Sequence, residues 1–326
     1  MTIKEKLKAY AKVSRMEYAP AEAPGMLIPF LLGATSITNI VGIHIVEGVA
    51  VFLLLYLSGF LINALADIDV DSRYKTFVSE SVHFLGAKTI KRLIIGQVTL
   101  ALILTIHVCY LVNNYWLFLW VLAGTFFGLA YSVKPFHFKV RGVFHATLAF
   151  GAGFAPMVFL YYIIGGIPTT SIFLVISFFI ILHYGIALVN QTQDYIEDKE
   201  SGLLTPAVRL GVTQTLTASL IISLFGFFLG LVGFYILFND LPSLTILGYT
   251  ISFEILYLIT IITLILSYYT PIKGIWDLIM ISSGRESIEQ RMTMIKNRLN
   301  YPRWQASGLF GLMIISLIFF SIKIFP

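Results

Sequence analysis

The chain has 326 residues, of which 58% are hydrophobic and 12% are charged, a composition that excludes an ordinary soluble globular domain and indicates an integral membrane protein. The single cysteine, Cys109, excludes an internal disulfide and a thiolate metal site. The net charge of +5 does not indicate a nucleic-acid partner, because the basic residues follow a membrane pattern described below.

Residues 1–23 are predicted to form a basic amphipathic segment that lies on the membrane surface. Their apolar residues Ile3, Leu7, Tyr10 and Val13 recur at helical spacing, and lysines occupy the other face. Membrane lipids are therefore expected partners of this segment.

Nine apolar segments long enough to cross a bilayer follow. They are residues 24–41, 44–66, 90–112, 115–133, 143–165, 170–192, 212–238, 244–269 and 304–324. We predict one all-α membrane domain over residues 1–326, with spans one to eight in 24–269, a basic cytoplasmic loop in 270–303 and span nine in 304–324. Within that loop, segment 273–303 is interpreted as an amphipathic helix resting on anionic lipid head groups.

The basic residues indicate how these spans are oriented. The chain has 22 Lys and Arg residues, and all but Lys323 lie in the N-terminal segment or in loops separated from it by an even number of predicted spans. Cytoplasmic segments of membrane proteins carry this excess of positive charge. We therefore predict a multi-pass protein of the cell membrane with a cytoplasmic N-terminus.

One polar pattern, N-x-x-x-D-x-x-x-D, occurs twice, each time directly after a long apolar run. The first copy, in LINALADIDVD, is Asn63, Asp67 and Asp71. The second copy, in LVNQTQDYIED, is Asn190, Asp194 and Asp198. A spacing of four residues places successive members about one helical turn apart, so each triplet lines one helix face.

The two rows of oxygens predict a magnesium site. Carboxylates at the mouth of a membrane helix are costly unless they are paired. Mg²⁺ is a suitable partner, since a few carboxylates and the oxygens of a bound phosphate hold it. One copy alone is equally compatible with a helix end carrying solvated acids, but the repetition favours the metal site. Two such faces opposed across a cavity would clamp a diphosphate.

The loop YSVKPFHFKVRG, residues 131–142, lies on the same predicted side as both rows. Its hydroxyl groups and cations suit a phosphate site, because phosphate needs donors and positive charge. The alternative is ordinary positive charge of a cytoplasmic loop. Arg73 and Lys75, just past the first row, have the same two interpretations.

Together these motifs resemble those of the UbiA superfamily of intramembrane prenyltransferases, over about residues 10–325. The family's first motif matches Asn63, Asp67 and Asp71. Its second motif matches Asp194, Asp198, Ser201, Gly202, Thr205 and the run from Val208 to Gly211. Its Y-S-x-x-P-x-x-x-K element matches Tyr131, Ser132, Pro135 and Lys139, and Arg15 matches an arginine usual near the first helix.

The resemblance implies nine transmembrane helices around a central cavity, with an active site on the cytoplasmic side. It implies a Mg²⁺-dependent enzyme that transfers a polyprenyl group from a prenyl diphosphate to a lipophilic or aromatic acceptor and releases diphosphate. The implied catalytic residues are Asp67, Asp71, Asp194, Asp198, Lys139 and Tyr131. The implied diphosphate-binding residues are Asn63, Asn190, Arg15, Arg73, Lys75, Lys139 and Ser132. The implied Mg²⁺ ligands are Asn63, Asp67, Asp71, Asn190, Asp194 and Asp198.

The sequence departs from the family pattern at two places. The first motif is followed by TFVSESVHFLG, where many members have Arg-Pro, and His137 stands where an arginine is frequent. The residues at both places are expected to contact the diphosphate or the acceptor. Asp69 has no assigned role, and His183 either lines the pocket or, as we favour, makes an interhelical hydrogen bond.

Three functions fit these observations. An aromatic quinone-precursor acceptor is the first expectation, from its frequency in the family. A glycerol-phosphate ether lipid, as in digeranylgeranylglyceryl phosphate synthase, is the alternative acceptor. The alternative of another class is a divalent-cation or metabolite transporter. A transport path distributes ionisable groups through the bilayer midplane, whereas here they cluster at one face, which favours the enzyme.

Overall fold

The computed structural model describes residues 2–16, 19–74, 76–240, 244–246 and 249–324. The chain divides into two compact units. The first comprises residues 1–23 and 42–163, and the second comprises residues 24–41 and 164–326. The single membrane domain over residues 1–326 stays a prediction.

The first unit is built from helices that carry the first Asn/Asp row and the YSVKPFHFKVRG loop. Short 3₁₀ turns at Phe138–Val140 and Gly142–Ala146 and a π-helical turn at Phe150–Phe154 complete it. Its helices, with α2 shared between the units, are α1 (Ile3–Val13), α2 (Ala19–Gly33), α3 (Ile43–Ala66), α4 (Ile68–Tyr74), α5 (Thr76–Leu85), α6 (Ala87–Leu111), α7 (Trp116–Ser132), α8 (Thr147–Ala149) and α9 (Ala155–Ile163).

The second unit carries the second row. A 3₁₀ turn at Ile37–Ile40 belongs to it, and two three-residue strands, β1 (Leu244–Ile246) and β2 (Tyr249–Ile251), pair antiparallel. Its helices are α10 (Thr170–Gln193), α11 (Tyr195–Glu200), α12 (Pro206–Leu210), α13 (Val212–Asn239), α14 (Phe253–Ser282), α15 (Ile288–Arg298) and α16 (Tyr301–Ile324).

The N-terminal helix α1 forms as predicted and packs in part on protein, while its place on a membrane surface stays a prediction. Thr2 and Glu5 close a capping box at its start, which satisfies free N–H groups of the first turn. Val13 is fully buried in a cluster with residues of α3, α5 and α6, and the Tyr10 hydroxyl accepts a hydrogen bond from the Gln97 amide. Of its four apolar residues, these two pack on protein, while Ile3 and Leu7 are exposed.

Close contact between α10 and α13 organises the second unit. A Cβ atom added at Gly226 would lie 2.6 Å from the backbone nitrogen of Leu182. The Ser219 hydroxyl donates a hydrogen bond of 2.6 Å to the Gly185 carbonyl. Small residues and hydroxyl groups are what allows membrane helices to approach closely, because lipid provides no hydrophobic drive between them.

Helices long and apolar enough to cross a membrane number six in the described residues. These are Ile43–Ala66, Ala87–Leu111, Thr170–Gln193, Val212–Asn239, Phe253–Ser282 and Tyr301–Ile324. Two shorter apolar helices, Trp116–Ser132 and Thr147–Ile163, cover the predicted fourth and fifth spans, and α2 lies at the first. The predicted count of nine membrane crossings stays a prediction.

The predicted eighth span, 244–269, is wrongly placed. The hairpin of β1 and β2 occupies its start, and the helix runs from Phe253 to Ser282. Hydropathy alone does not distinguish an apolar strand from a helix. The helix continues past residue 269 because Ile275 and Leu278 find buried positions in the second unit.

The basic segment 273–303 is also more tightly integrated than predicted. Its second half forms α15, which a capping box of Ser287 and Gln290 starts. Met292 and Ile295 on this helix are 1% and 0% exposed. The apolar face of α15 is therefore covered by protein, and contact of this segment with lipid head groups stays a prediction.

Candidate active site

The first Asn/Asp row straddles a helix end. Asn63 belongs to α3, Asp67 is the C-cap residue of α3, and Asp71 lies in α4. The Asp67 N–H donates to the Asn63 carbonyl (2.9 Å), and the Asp71 N–H donates to the Asp67 carbonyl (2.8 Å). The backbone thus keeps a helical path across the break, which maintains the predicted one-turn spacing. Asp67 and Asp71 are 8% and 5% exposed, so both carboxylates are largely removed from solvent.

The second row is built in a similar way, although the Asp194 N–H donates to the Thr192 carbonyl rather than to that of Asn190. Asn190 belongs to α10, Asp194 is its C-cap residue, and Asp198 lies in α11. The Asp198 N–H donates to the Asp194 carbonyl at 2.8 Å. The Gln193 amide donates to the Asn190 side-chain oxygen. The repeat seen in the sequence is therefore a repeat of local structure: a long helix, an aspartate at its end and a short helix carrying the second aspartate.

A cation from the YSVKPFHFKVRG loop joins the first row. The Lys139 ammonium donates to the Asp67 carboxylate at 2.6 Å, and their side chains are 15% and 11% exposed. The Ser132 hydroxyl donates to the Asn63 side-chain oxygen at 3.2 Å. The first unit thus brings together four of the predicted site residues from separate stretches of the chain, and Lys134 by contrast is exposed.

Tyr131 has a partner that the sequence analysis missed. Its hydroxyl lies 2.9 Å from Nε2 of His145, which is 1% exposed. His145 lies outside the recognised motif, and a histidine near the start of an apolar segment is not by itself a signal. The contact orients the Tyr131 hydroxyl, since a hydrogen-bonded side chain loses its freedom to rotate.

His137, the residue that replaces a frequent arginine, lies in the same loop. Its backbone has φ = 44°, in the left-handed region, and its Nε2 atom is buried without a hydrogen-bond partner in the described part of the chain. Burial lowers the pKa of His137, because desolvation disfavours the charged imidazolium, and the nearby Asp67 opposes this effect. The lysines and arginine of the loop are Lys134, Lys139 and Arg141, and of these Lys139 is paired with Asp67.

In the second unit, Asp198 is supported by Thr205. The Thr205 hydroxyl, fully buried, donates to the Asp198 carboxylate at 2.9 Å. The chain returns to this contact through a turn in which Gly202 has φ = 70° and the Leu203 N–H donates to the Asp198 carbonyl. A glycine suits this turn because left-handed backbone is costly for other residues.

Of the three remaining predicted cations, the structure describes the side chain of Arg15. The Arg15 guanidinium lies 5.9 Å from the centre of the Phe60 ring, a cation–π contact. The Arg73 side chain and the whole of Lys75 lie outside the described residues.

Asp69 is exposed, and Nε2 of His183 lies 3.2 Å from the Tyr268 hydroxyl, which agrees with the favoured interhelical hydrogen bond.

The donor set fits Mg²⁺. Each unit offers two carboxylates and one amide in a row, and Mg²⁺ commonly takes one or two carboxylates together with substrate phosphates rather than an all-protein cage. Among the residues described in either unit, no group of three His, Cys, Asp or Glu side chains forms a metal cluster. Oxygen donors without sulfur or imidazole favour a hard divalent cation over zinc or copper.

The model of the UbiA prenyltransferase family matches residues 24–277. No curated protein sequence matches the chain. Among solved structures, the fold is similar to that of a UbiA homolog from Archaeoglobus fulgidus bound to GPP and Mg²⁺, with a TM-score of 0.61 and 19% identity over 97% of this chain and 98% of that one. A structure of such a homolog from the same organism bound to DMAPP and Mg²⁺ has a TM-score of 0.61 and 19% identity, covering 96% and 97%. One bound to Cd²⁺ has a TM-score of 0.59 and 17% identity, covering 96% and 99%.

Proposed function

Because this chain belongs to the UbiA prenyltransferase family, we propose that it transfers a polyprenyl group from a prenyl diphosphate to a lipophilic or aromatic acceptor and releases diphosphate. The UbiA homologs of similar fold are bound to GPP or DMAPP together with Mg²⁺, which supports a prenyl diphosphate donor and Mg²⁺ as the cofactor here. Family membership favours this reaction over the transport of a divalent cation or metabolite.

The observation that carries the proposal is the pair formed by Asp67 and Lys139. A diphosphate with Mg²⁺ needs carboxylates for the metal and a cation for the phosphate oxygens, and this pair presents both at 2.6 Å in a largely buried position. Holding two charges out of water is costly unless they are paired. An ion pair with a purely structural role could use a lysine at any suitable position. Lys139 instead stands at the position where the family's Y-S-x-x-P-x-x-x-K element has a lysine.

We assign the metal ligands to the two rows. Asn63, Asp67 and Asp71 in the first unit and Asn190, Asp194 and Asp198 in the second would hold Mg²⁺. When bound, Mg²⁺ supplies positive charge that neutralises the diphosphate as it leaves. The hydrogen bond from Thr205 keeps the Asp198 carboxylate oriented for this role.

The other residues act on the leaving group. As the allylic C–O bond breaks, negative charge grows on the diphosphate oxygen, and Lys139 stabilises it as a fixed cation. Tyr131, oriented by His145, donates a hydrogen bond, and Ser132 and Arg15 contribute to diphosphate binding. Arg73 and Lys75 have the same proposed role. The acceptor then forms a bond to the allylic carbon and loses a proton, which restores its charge.

For the acceptor we propose an aromatic quinone precursor. A glycerol-phosphate ether lipid is the alternative. The two differ in charge, since only the second brings a phosphate of its own, and a direct comparison of both acceptors in one assay separates them.

We further propose that the protein crosses the cell membrane nine times with its N-terminus and active site on the cytoplasmic side. The distribution of Lys and Arg residues in the sequence supports this orientation. Both Asn/Asp rows straddle the C-terminal ends of long apolar helices, α3 and α10, where a soluble head group can reach them.

The test is turnover by the purified protein. Labelled prenyl diphosphates of several chain lengths are incubated with aromatic and glycerol-phosphate acceptors, with Mg²⁺ or with EDTA. We expect a prenylated acceptor and free diphosphate in the presence of Mg²⁺, and neither with EDTA. Absence of product from every donor and acceptor pair would count against the proposed reaction.

A matched pair of variants tests the first row. Asp67→Asn should abolish turnover, because it removes a ligand charge and the partner of Lys139. Asp69→Asn changes the same kind of residue at an exposed position two residues away and should leave turnover near the wild-type rate. Equal loss in both variants would show a general effect of charge in this segment rather than a metal row.

A further inference from the structure

An ion pair joins α15 to α11, the short helix that carries Asp198 of the second row. The Lys296 ammonium donates to Oε1 of Glu197 at 2.6 Å, and their side chains are 41% and 20% exposed. The other carboxylate oxygen of Glu197, Oε2, is buried and has no hydrogen-bond partner in the described part of the chain. Lys296 therefore balances the charge of a largely buried carboxylate that directly precedes Asp198 in the chain.

The helix α11 depends on contacts with other elements for its position. It has six residues, fewer than two helical turns, and a helix this short is not stable by itself. On one side, the Thr205 hydroxyl donates to the Asp198 carboxylate. Successive side chains of a helix point about 100° apart, so Glu197 faces a different side, and it is there that Lys296 holds the helix.

The apolar packing between α11 and α15 is incomplete, which leaves more of this task to the ion pair. Tyr195 of α11 lines a cavity of about 170 Å³ together with residues that include Met292 and Ile295 of α15. One water molecule occupies ~30 Å³ in the liquid, so the space is several times that size. Side chains that border such a space make fewer dispersion contacts and hold each other less firmly.

We propose that Lys296 is a positioning residue for the second row. Its ion pair with Glu197 holds α11 against α15, and this keeps Asp194 and Asp198 in the arrangement that binds Mg²⁺. Lys296 itself touches neither the metal nor the substrate. The inference rests on the proposed function in one respect, the assignment of Asp194 and Asp198 as Mg²⁺ ligands.

The helix α15 offers a matched control two residues further along. Nη2 of Arg298 donates to the Asp277 carboxylate of α14 at 2.9 Å, and their side chains are 61% and 29% exposed. Lys296 and Arg298 both lie in the last turn of α15. Lys296→Met and Arg298→Met therefore remove the same charge from the same helix end, but only the first disconnects α11. Lys296→Arg keeps the charge and a donor, and is the conservative variant.

The first experiment measures backbone hydrogen exchange of residues 195–203 by mass spectrometry, on the purified protein in EDTA. Lys296→Met should raise the exchange rate about two- to fivefold, the scale on which one solvent-accessible ion pair shifts a local opening equilibrium. Arg298→Met and Lys296→Arg should exchange like the wild type. This readout reports the position of α11 directly and needs neither metal nor turnover.

The second experiment measures the affinity for Mg²⁺, with Mg²⁺ alone as the probe. The apparent Kd follows from the rise of the unfolding temperature with Mg²⁺ concentration. Lys296→Met should raise this Kd about two- to fivefold, whereas Arg298→Met and Lys296→Arg should not. The direction of the change is decisive, because removing a positive charge near carboxylates would by itself attract a cation more strongly and lower the Kd.

Three results overturn the proposal. The first is hydrogen exchange of α11 that is unchanged in Lys296→Met, or raised equally in Arg298→Met. The second is a Kd for Mg²⁺ that Lys296→Met leaves unchanged or lowers. The third is a higher KM for the prenyl diphosphate in Lys296→Met without either of the expected changes, which would assign Lys296 to substrate binding. The first two readouts do not use turnover, so they distinguish a failure of this proposal from a failure of the proposed reaction.

Discussion

Asp67 and Asp194 share a backbone geometry in addition to their equivalent places in the two rows. Both are C-cap residues, with φ and ψ of −97° and 8° for the first and −94° and 12° for the second. Both have left the regular helix but still accept a hydrogen bond from the aspartate four residues later. Each aspartate also directly precedes a short helix, α4 or α11, and the start of a helix favours negative charge. The two rows therefore share their local electrostatic setting as well as their backbone conformation.

Lys139 is expected to act mainly in the transition state. It is held beside Asp67 before substrate binds, and a preorganised cation stabilises charge that develops during bond cleavage more than charge already present. We predict that Lys139→Ala lowers kcat by roughly 10²- to 10³-fold, the scale for losing one such donor, with a smaller change in KM. Steady-state kinetics with a prenyl diphosphate would measure both.

The control for this variant is Lys134→Ala. Lys134 is exposed in the same loop and should contribute little. If Lys134→Ala lowered kcat and Lys139→Ala did not, the assignment of the family element to this loop would be wrong.

Thr205 is expected to affect the affinity for Mg²⁺ because its hydroxyl orients the Asp198 carboxylate. Thr205→Val removes the hydroxyl from a buried carboxylate without changing the volume much. Losing a residue that orients a metal ligand typically costs 10- to 100-fold in metal affinity. We therefore expect a rise of about tenfold or more in the Mg²⁺ concentration needed for half-maximal turnover.

Two further variants complete that comparison. Thr205→Ser keeps the hydroxyl and should restore most of the Mg²⁺ affinity. Thr217→Val makes the same deletion on an exposed face of α13 and should have no effect. A normal Mg²⁺ requirement in Thr205→Val would mean that the hydroxyl does not support a ligand.

Among the elements, α10 and α13 depend most on small residues. Gly226 faces the backbone of Leu182, and a Cβ there would lie 2.6 Å from the Leu182 nitrogen. The helices would have to separate, since neither backbone can yield locally. α10 ends at the second Asn/Asp row, so its packing also determines where Asn190 lies.

We predict that Gly226→Ala lowers the stability of the protein in detergent by about 1–3 kcal/mol, the usual cost of overpacking. Gly96→Ala is the control, because a Cβ at Gly96 meets no atom within 4 Å. That substitution should be neutral or stabilise by up to about 1 kcal/mol, as alanine is the better helix former. Unfolding midpoints of both variants test this, and equal midpoints would contradict the close contact.

At the scale of the whole molecule, the orientation in the membrane is the main prediction. Cysteines introduced at Asn113 and Asn239, both exposed, should react with an impermeant thiol reagent from outside intact cells. Cysteines at Glu80 and Gln290, also exposed, should react only after the membrane is opened. The native Cys109 is 1% exposed and should give little background. The reverse labelling pattern would place the N-terminus and active site outside the cell.

The sequence by itself determined the membrane class, the two rows and the family. Apolar runs of membrane length are a property of composition, and a spacing of four along a helix carries its geometry with it. The motif residues Asn63, Asp67 and Asp71 could thus be named, and their helical relation is what the structure has. The family motif likewise pointed to Ser132 and Lys139.

Only the tertiary structure decided which groups meet. The pairing of Lys139 with Asp67 joins residues 72 positions apart and that of Tyr131 with His145 residues 14 positions apart, and no local pattern specifies such contacts. The same reason explains the error at the start of the predicted span 244–269. Hydropathy indicates that a side chain is shielded from water, but it does not indicate whether lipid or protein contacts that side chain. For Val13, Met292 and Ile295 the cover is protein, because neighbouring helices supply a closely packed apolar surface.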